Sequence, residues 1–186
     1  MSADHRPGLQ PSTRVVSLGR PPHEDDAAVN PPITLSSTYV GTGAVASGSR
    51  GYGRYSNPTW DPFEEALADL EGAQVPGLLY GSGLAAIASA LDLVAPGGTV
   101  VMPAHTYQGA LLGAQETAAT GRFDLVTVDI ADTRQVVEAL TEAQRATADL
   151  EHPRPVMLWL ESPTNPMLEV ADMPALIEAA HSRDAF

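Results

Sequence analysis

Cysteine is absent from the 186 residues, so there is neither a disulfide framework nor a thiolate metal site. Lysine is absent too: all ten basic residues are arginines. Chemistry that needs a side-chain amine therefore has no group here to use. No apolar run reaches the ~18 residues that a membrane-spanning helix needs. The opening MSADHRPGLQ has no apolar signal region, and a cytoplasmic location is the default expectation. Positive charge is scarce, with a net charge of −13. A nucleic-acid-binding face would be basic, and none is visible. The five histidines, His5, His23, His105, His152 and His181, show no metal-ligand spacing, so no metal site is expected.

What is present suffices for a folded domain. Hydrophobic residues make up 44% of the chain, and its length can enclose a sizeable core. Residues 1–60 hold 7 of the 16 prolines and 7 of the 16 glycines. They read as an extended, irregular arm that is either disordered or held by another surface, such as a second subunit. Residues 61–186 read as an ordered α/β domain.

That domain is predicted to open with Asp61 as N-cap, Pro62 at the first helical position and Glu64 three residues after the cap. Phe63, Ala66, Leu67 and Leu70 would form its apolar face, and Gly72 its stop. GLLY (77–80) reads as a short buried strand, and Ser82 as the cap of a helix to about Val94. Strands are then expected in TVVMP (99–103), FDLVTVD (123–129) and VMLWLE (156–161). Helices are expected after Tyr107, from Asp132 to Arg145 and over 171–181. Such alternation implies βαβ units and a mostly parallel sheet flanked by helices. The last helix ends in HSRDAF with no strand after it, so the sheet looks unfinished.

Four stretches carry candidate chemistry. GSGLAA (81–86) is a glycine-bearing turn into a helix, suited to a phosphate or to plain turn formation. Arg54, in GYGRYSNPTWD (51–61), is a lone cation between two tyrosines. Its planar fork suits phosphate, although a solvated loop arginine reads as well. HTYQGA (105–110) and LESPTNP (160–166) each follow a strand end, where ligands bind in open α/β sheets. Tyr107 there can stack on a flat ring or simply pack. Glu161 and Asn165 are crevice groups or parts of an Asn-Pro turn. A nucleotide-binding domain built on GSGLAA would need an acid about 20 residues on, at a strand end. TVVMP ends without one.

In order and spacing, TRVVSLGR, NPPITLSSTYV, YGRYSNPTWDPFEEALADLEG, GSGLAAIASAL, TYQGA and LESPTNPMLEVADMPALIEAAH act as one signature. From about Thr13 onward the chain resembles the pyridoxal-phosphate enzymes of cysteine and methionine metabolism: the cystathionine γ-synthases, cystathionine γ-lyases and methionine γ-lyases. The resemblance implies the first part of an aspartate-aminotransferase-like, fold type I large domain. It implies that Tyr52 and Arg54 reach the cofactor phosphate of a neighbouring subunit. Ser82, Gly83 and Leu84 would hold the phosphate within the same subunit, with leucine where the family usually has methionine. Tyr107 would stack on the cofactor ring and assist proton transfer. Asn165 would lie near the cofactor's 3′ oxygen, and Glu161 matches the glutamate that opens that motif. Gly109 stands where methionine γ-lyases usually carry cysteine. The implied reaction is γ-elimination or γ-replacement on a homoserine-derived or sulfur-containing amino acid.

The resemblance also defines what these residues lack. The family needs a Schiff-base lysine, an aspartate for the pyridinium nitrogen and an arginine for the substrate carboxylate. The expectation is a split enzyme. A second polypeptide would supply those three groups, in a hetero-oligomer of paired heterodimers. An inactive truncated fragment, or a non-catalytic interaction subunit of the same family, is the alternative.

Overall fold

The computed structural model describes residues 8–41, 43, 49–148, 151 and 153–186. His5 and His152 lie outside them. The chain divides into two compact units, residues 1–79 and 80–186. The first unit thus extends past the boundary expected at residue 61 and takes in residues 61–79 with the arm. Among the described residues, no helix is long and apolar enough to cross a membrane.

The first unit holds helices α1 (Pro11–Arg14) and α2 (Asp61–Glu71). Between them the arm pairs with itself at one antiparallel bridge, Thr38 with Tyr52. Gly53 N–H donates to Ser37 O at 2.8 Å. A Cβ at Gly53 would stand 2.7 Å from Ser36 O, so only glycine admits this approach. Asn57, 4% exposed, gathers the segment. Its side-chain NH2 donates to Thr34 O and Ser36 O, and its Oδ1 accepts Thr59 N–H.

The expected cap of α2 is corrected here. Trp60 is the N-cap, with no side-chain cap bond. Asp61 instead accepts Asn57 N–H at 2.8 Å and pairs with Arg50, because the 57–60 turn brings competing donors to the carboxylate. Glu64 likewise accepts Leu79 N–H at 2.8 Å rather than reaching back to the cap. Gly72 does stop α2, in the left-handed conformation at φ 67°.

In the second unit a three-stranded sheet has the order β2-β1-β3, all parallel. Its strands are β1 (Gly98–Pro103), β2 (Phe123–Val128) and β3 (Val156–Leu158), interleaved with helices α3 (Gly83–Leu91), α4 (Gln108–Ala119), α5 (Thr133–Ala148) and α6 (Met173–His181). All six residues of β1 are buried. Its side chains alternate between two cores. Val101 joins Val136, Leu140 and Leu176 from α5 and α6, while Val100 and Met102 join Leu91 and Ala114 from α3 and α4. A parallel sheet covered on both faces reads as a continuous apolar run, and TVVM is one. Ser82, Asp132 and Asp172 cap α3, α5 and α6, each accepting a backbone N–H three residues on.

One expectation changes. GLLY (77–80) is not a strand: no described strand lies alongside it to complete a ladder, and Leu78 is 77% exposed. At the other end no strand follows α6 among the described residues, as expected, although Phe186 itself reaches the sheet. Its N–H donates to Val156 O at 3.0 Å and its C=O accepts Leu158 N–H at 2.7 Å. That exchange is the parallel pattern, so a further strand position opens beside β3.

Leu176→Ala, at a site of zero exposure in the α5–α6 core, is expected to cost about 2–5 kcal/mol in chemical denaturation. Leu35→Ala, at 97% exposure, should stay within roughly 0.5 kcal/mol. Equal losses would contradict the placement of the core.

Candidate active site

The carboxyl ends of the parallel strands present two loops, one from β1 into α4 and one from β3 into α6. Two carboxylates of the second loop, Glu161 and Glu169, tie it to the first. Glu161, just past β3, accepts Tyr107 N–H at 3.0 and 3.1 Å, Asn165 N–H at 2.9 Å and the Thr106 hydroxyl. Tyr107 is the N-cap of α4 without a side-chain cap bond. Glu161 thus supplies an acceptor near an N-terminus that has none of its own. Thr106 is 2% exposed, while Asn165 is exposed and the Tyr107 ring is 44% exposed. Tyr107, Glu161 and Asn165 are therefore brought into one hydrogen-bonded group. Both oxygens of Glu161 are occupied by protein donors, so its contribution is to position its neighbours.

A second tie lies beside the first. His105 Nδ1 is 2.9 Å from Glu169 Oε1. Glu169 Oε2 accepts the hydroxyl of Thr164, which is 1% exposed, and Glu169 N–H donates back to that hydroxyl at 3.0 Å. Leu168 takes φ 58° inside this closed turn, a left-handed conformation uncommon for a branched side chain. The His105 hydrogen bond chiefly holds the Glu169 carboxyl below the ordinary carboxylate value, with help from Thr164 and against partial burial.

Ser82, Gly83 and Leu84 form the exposed first turn of α3. Helix α3 ends where β1 begins: Val94 lies 2.7 Å from where a Cβ on Gly98 would stand. Its first turn therefore lies toward the carboxyl end of the strands. Ser82 Oγ accepts Ala85 N–H at 3.2 Å. The N–H groups of Gly83 and Leu84 have no acceptor among the described residues, and nothing lies within 4 Å of a Cβ added at Gly83. Free donors, a helix N-terminus and open space fit an anionic group such as a phosphate.

Tyr52 and Arg54 form a separate group in the first unit. The guanidinium lies 4.8 Å from the Tyr52 ring centroid and donates to its hydroxyl at 3.1 Å. Tyr55 meets Tyr52 edge to face at 5.9 Å. Among the described residues Arg54 has no carboxylate partner. Its charge is held by ring stacking and left available to an external anion.

Sequence reading missed Asn57, Thr106 and the His105–Glu169 tie. An Asn-Pro-Thr turn beside a glycine-rich segment is a fair signal for Asn57. The other two depend on partners 55 and 64 residues away, which no local pattern reports. Among the described residues no group of three or more potential ligands could hold a metal ion.

Residues 12–186 match the model of a family described as Cys/Met metabolism PLP-dependent enzyme. The chain is 32% identical over 185 residues to a cystathionine β-lyase of Coxiella burnetii, covering 99% of this chain and 45% of that one. It is 33% identical over 178 residues to a cystathionine γ-synthase of Mycobacterium tuberculosis, covering 94% and 42%. Among solved structures it is similar to cystathionine γ-synthase from Xanthomonas oryzae pv. oryzae in complex with cystathionine, with a TM-score of 0.80 and 34% identity. That match covers 96% of this chain and 43% of that one. CalE6 from Micromonospora echinospora, a cystathionine γ-lyase, gives 0.79 and 35%, covering 96% and 44%. The chain thus spans less than half the length of these relatives, and its fold is the corresponding part of a fold type I enzyme.

Glu169→Gln tests the second tie by pH. A carboxyl depressed in the folded state adds stability that is complete above the unfolded carboxylate pKa, about 4.3. That contribution is lost as pH falls through the depressed folded value. Wild type should therefore exceed Glu169→Gln in stability at neutral pH, with the gap closing in acid. A pH-independent gap would count against a depressed Glu169 carboxyl.

Proposed function

The chain belongs to the Cys/Met metabolism pyridoxal-phosphate-dependent enzymes, and from that premise we propose that it forms part of the cofactor-binding domain of a γ-eliminating or γ-replacing enzyme. The substrate class is a homoserine-derived or sulfur-containing amino acid. The lysine, aspartate and carboxylate-binding arginine come from polypeptide outside these residues. In the split arrangement they come from a second chain, in paired heterodimers. The observation that carries the reading is the Glu161 carboxylate, which holds the Tyr107 and Asn165 backbones together at the carboxyl end of the sheet. The similarity to a cystathionine γ-synthase and to a cystathionine γ-lyase supports the reaction class.

Each residue then has a task. The N–H groups of Gly83 and Leu84, with the Ser82 hydroxyl beside them, bind the phosphate at the positive end of α3. Arg54 and Tyr52 bring a cationic fork and a phenol to the phosphate of a neighbouring subunit's site, in the manner of charge-assisted bonds. Pyridoxal phosphate, when bound, supplies the electron sink that makes the Cα–H of an amino acid acidic. The Tyr107 ring stacks on it and keeps water from that side, while its hydroxyl can hold or pass a proton. Asn165 offers an exposed amide to the ring oxygen or to the substrate carboxylate. Glu161 touches neither and keeps the two loops in register.

Co-expression with a candidate second chain, purification through a tag on this chain and addition of pyridoxal phosphate test the proposal. A yellow complex, with the cofactor fixed by borohydride to a lysine of the second chain, is expected. A colourless complex overturns the enzymatic reading. A labelled lysine on a continuation of this same chain keeps the enzyme and removes the split.

Arg54→Ala should weaken cofactor retention by roughly 1.5–3 kcal/mol, measured by equilibrium dialysis of the complex. Tyr107→Phe should leave that affinity nearly unchanged and slow turnover by roughly 10²-fold or more; an unchanged rate would remove the phenol from proton transfer.

A further inference from the structure

Gly109, the second residue of α4, sits beneath the side chain of Tyr107. A Cβ built on Gly109 would stand 2.7 Å from Tyr107 Cε1, 3.0 Å from Cζ and 3.1 Å from the phenolic oxygen. All three atoms belong to the hydroxyl-bearing end of the ring. No backbone atom is among these nearest contacts, so a methyl group here would displace the ring rather than the main chain. The backbone of Gly109 is helical and its φ is not in the left-handed region. Glycine is therefore not required by conformation, and alanine is the better helix former. What glycine supplies at this position is the space that the ring occupies.

We propose that Gly109 is the seat of the Tyr107 ring, a positioning residue that sets where the phenol is presented. The backbone of Tyr107 is fixed separately, by its N–H on Glu161. One contact holds the main chain and the other holds the ring end, so the side chain is pinned at both extremities. Its remaining exposure, 44%, is the surface left to meet a flat ligand. This inference rests on the reading of Tyr107 as the stacking residue, but its geometric part does not.

Three variants, Gly109→Ala, Tyr107→Ala and the double substitution, test it. In the isotopically labelled chain the Gly109 Hα resonances should carry a ring-current displacement that vanishes in Tyr107→Ala. Its absence in the wild type overturns the seat whatever the function. In the complex, Tyr107→Ala should weaken binding of pyridoxal phosphate by roughly two- to tenfold, the span of an aromatic contact. Gly109→Ala should approach that loss while its denaturation midpoint stays at or above that of wild type. In the Tyr107→Ala background, Gly109→Ala should cost nothing further. A Gly109→Ala loss that persists without the ring overturns the proposal. So does failure of both Gly109→Ala and the double variant to fold, because the clash would then lie with the backbone. Rescue of folding in the double variant alone would support it. If Tyr107→Ala leaves pyridoxal phosphate binding intact, the stacking assignment falls while the ring-current result still decides the seat.

Discussion

Burial of β1 on every side is the constraint from which the second unit follows. Gly98–Pro103 is flanked in register by β2 and β3 and covered on its two faces by α3 with α4 and by α5 with α6. Because each neighbouring strand is parallel, the connections must cross over the faces, and the strand ends that leave toward α4 and α6 emerge on one side. Residues far apart in sequence meet there without any local instruction to do so. The close packing of Gly98, where a Cβ would fall 2.6 Å from Pro155 O, belongs to the same constraint. The strand entry tolerates no side chain because Pro155 O, Val94 and Ala95 O crowd it.

What the sequence made legible were features with a local cause. Capping by Ser82, the helix opened by Asp132, the stop at Gly72 and the strands beginning at Phe123 and Val156 each follow from a few adjacent residues. The misreadings have a physical cause too. GLLY has strand-like apolarity, but a strand exists only with a partner, and composition cannot report one. Asp61 resembles a cap, yet the turn at Asn57 offers its carboxylate a nearer donor. Helix α5 runs on to Ala148, past the expected Arg145, since no residue there enforces a stop.

The site shows the same division. Tyr107, Asn165 and the α3 turn were visible as motifs, and their membership of one family signature narrowed what they are for. Glu161 was visible as a residue but not in its role. That role depends on a backbone N–H 54 positions away, brought near by strand order alone. The arm is a different case. Gly53, Asn57 and the stacked Arg54 give it a defined local shape. Yet Ile33, Leu35, Val40 and Tyr55 remain largely exposed. Its order therefore comes from these local contacts and not from burial of its apolar side chains.

A carboxylate shared by two loops also limits how the site can change by insertion or deletion. Glu161 reaches Tyr107 and Asn165 only while the turns after β1 and β3 keep their present lengths. Loops are ordinarily where chains absorb added or lost residues. Here one residue gained between β1 and Tyr107 would carry the Tyr107 N–H off the carboxylate and leave α4 without that acceptor, and one gained between Glu161 and Asn165 would release the Asn165 N–H. A side-chain replacement at Asn165, by contrast, leaves its backbone N–H free to stay on Glu161, because that bond uses only the main chain.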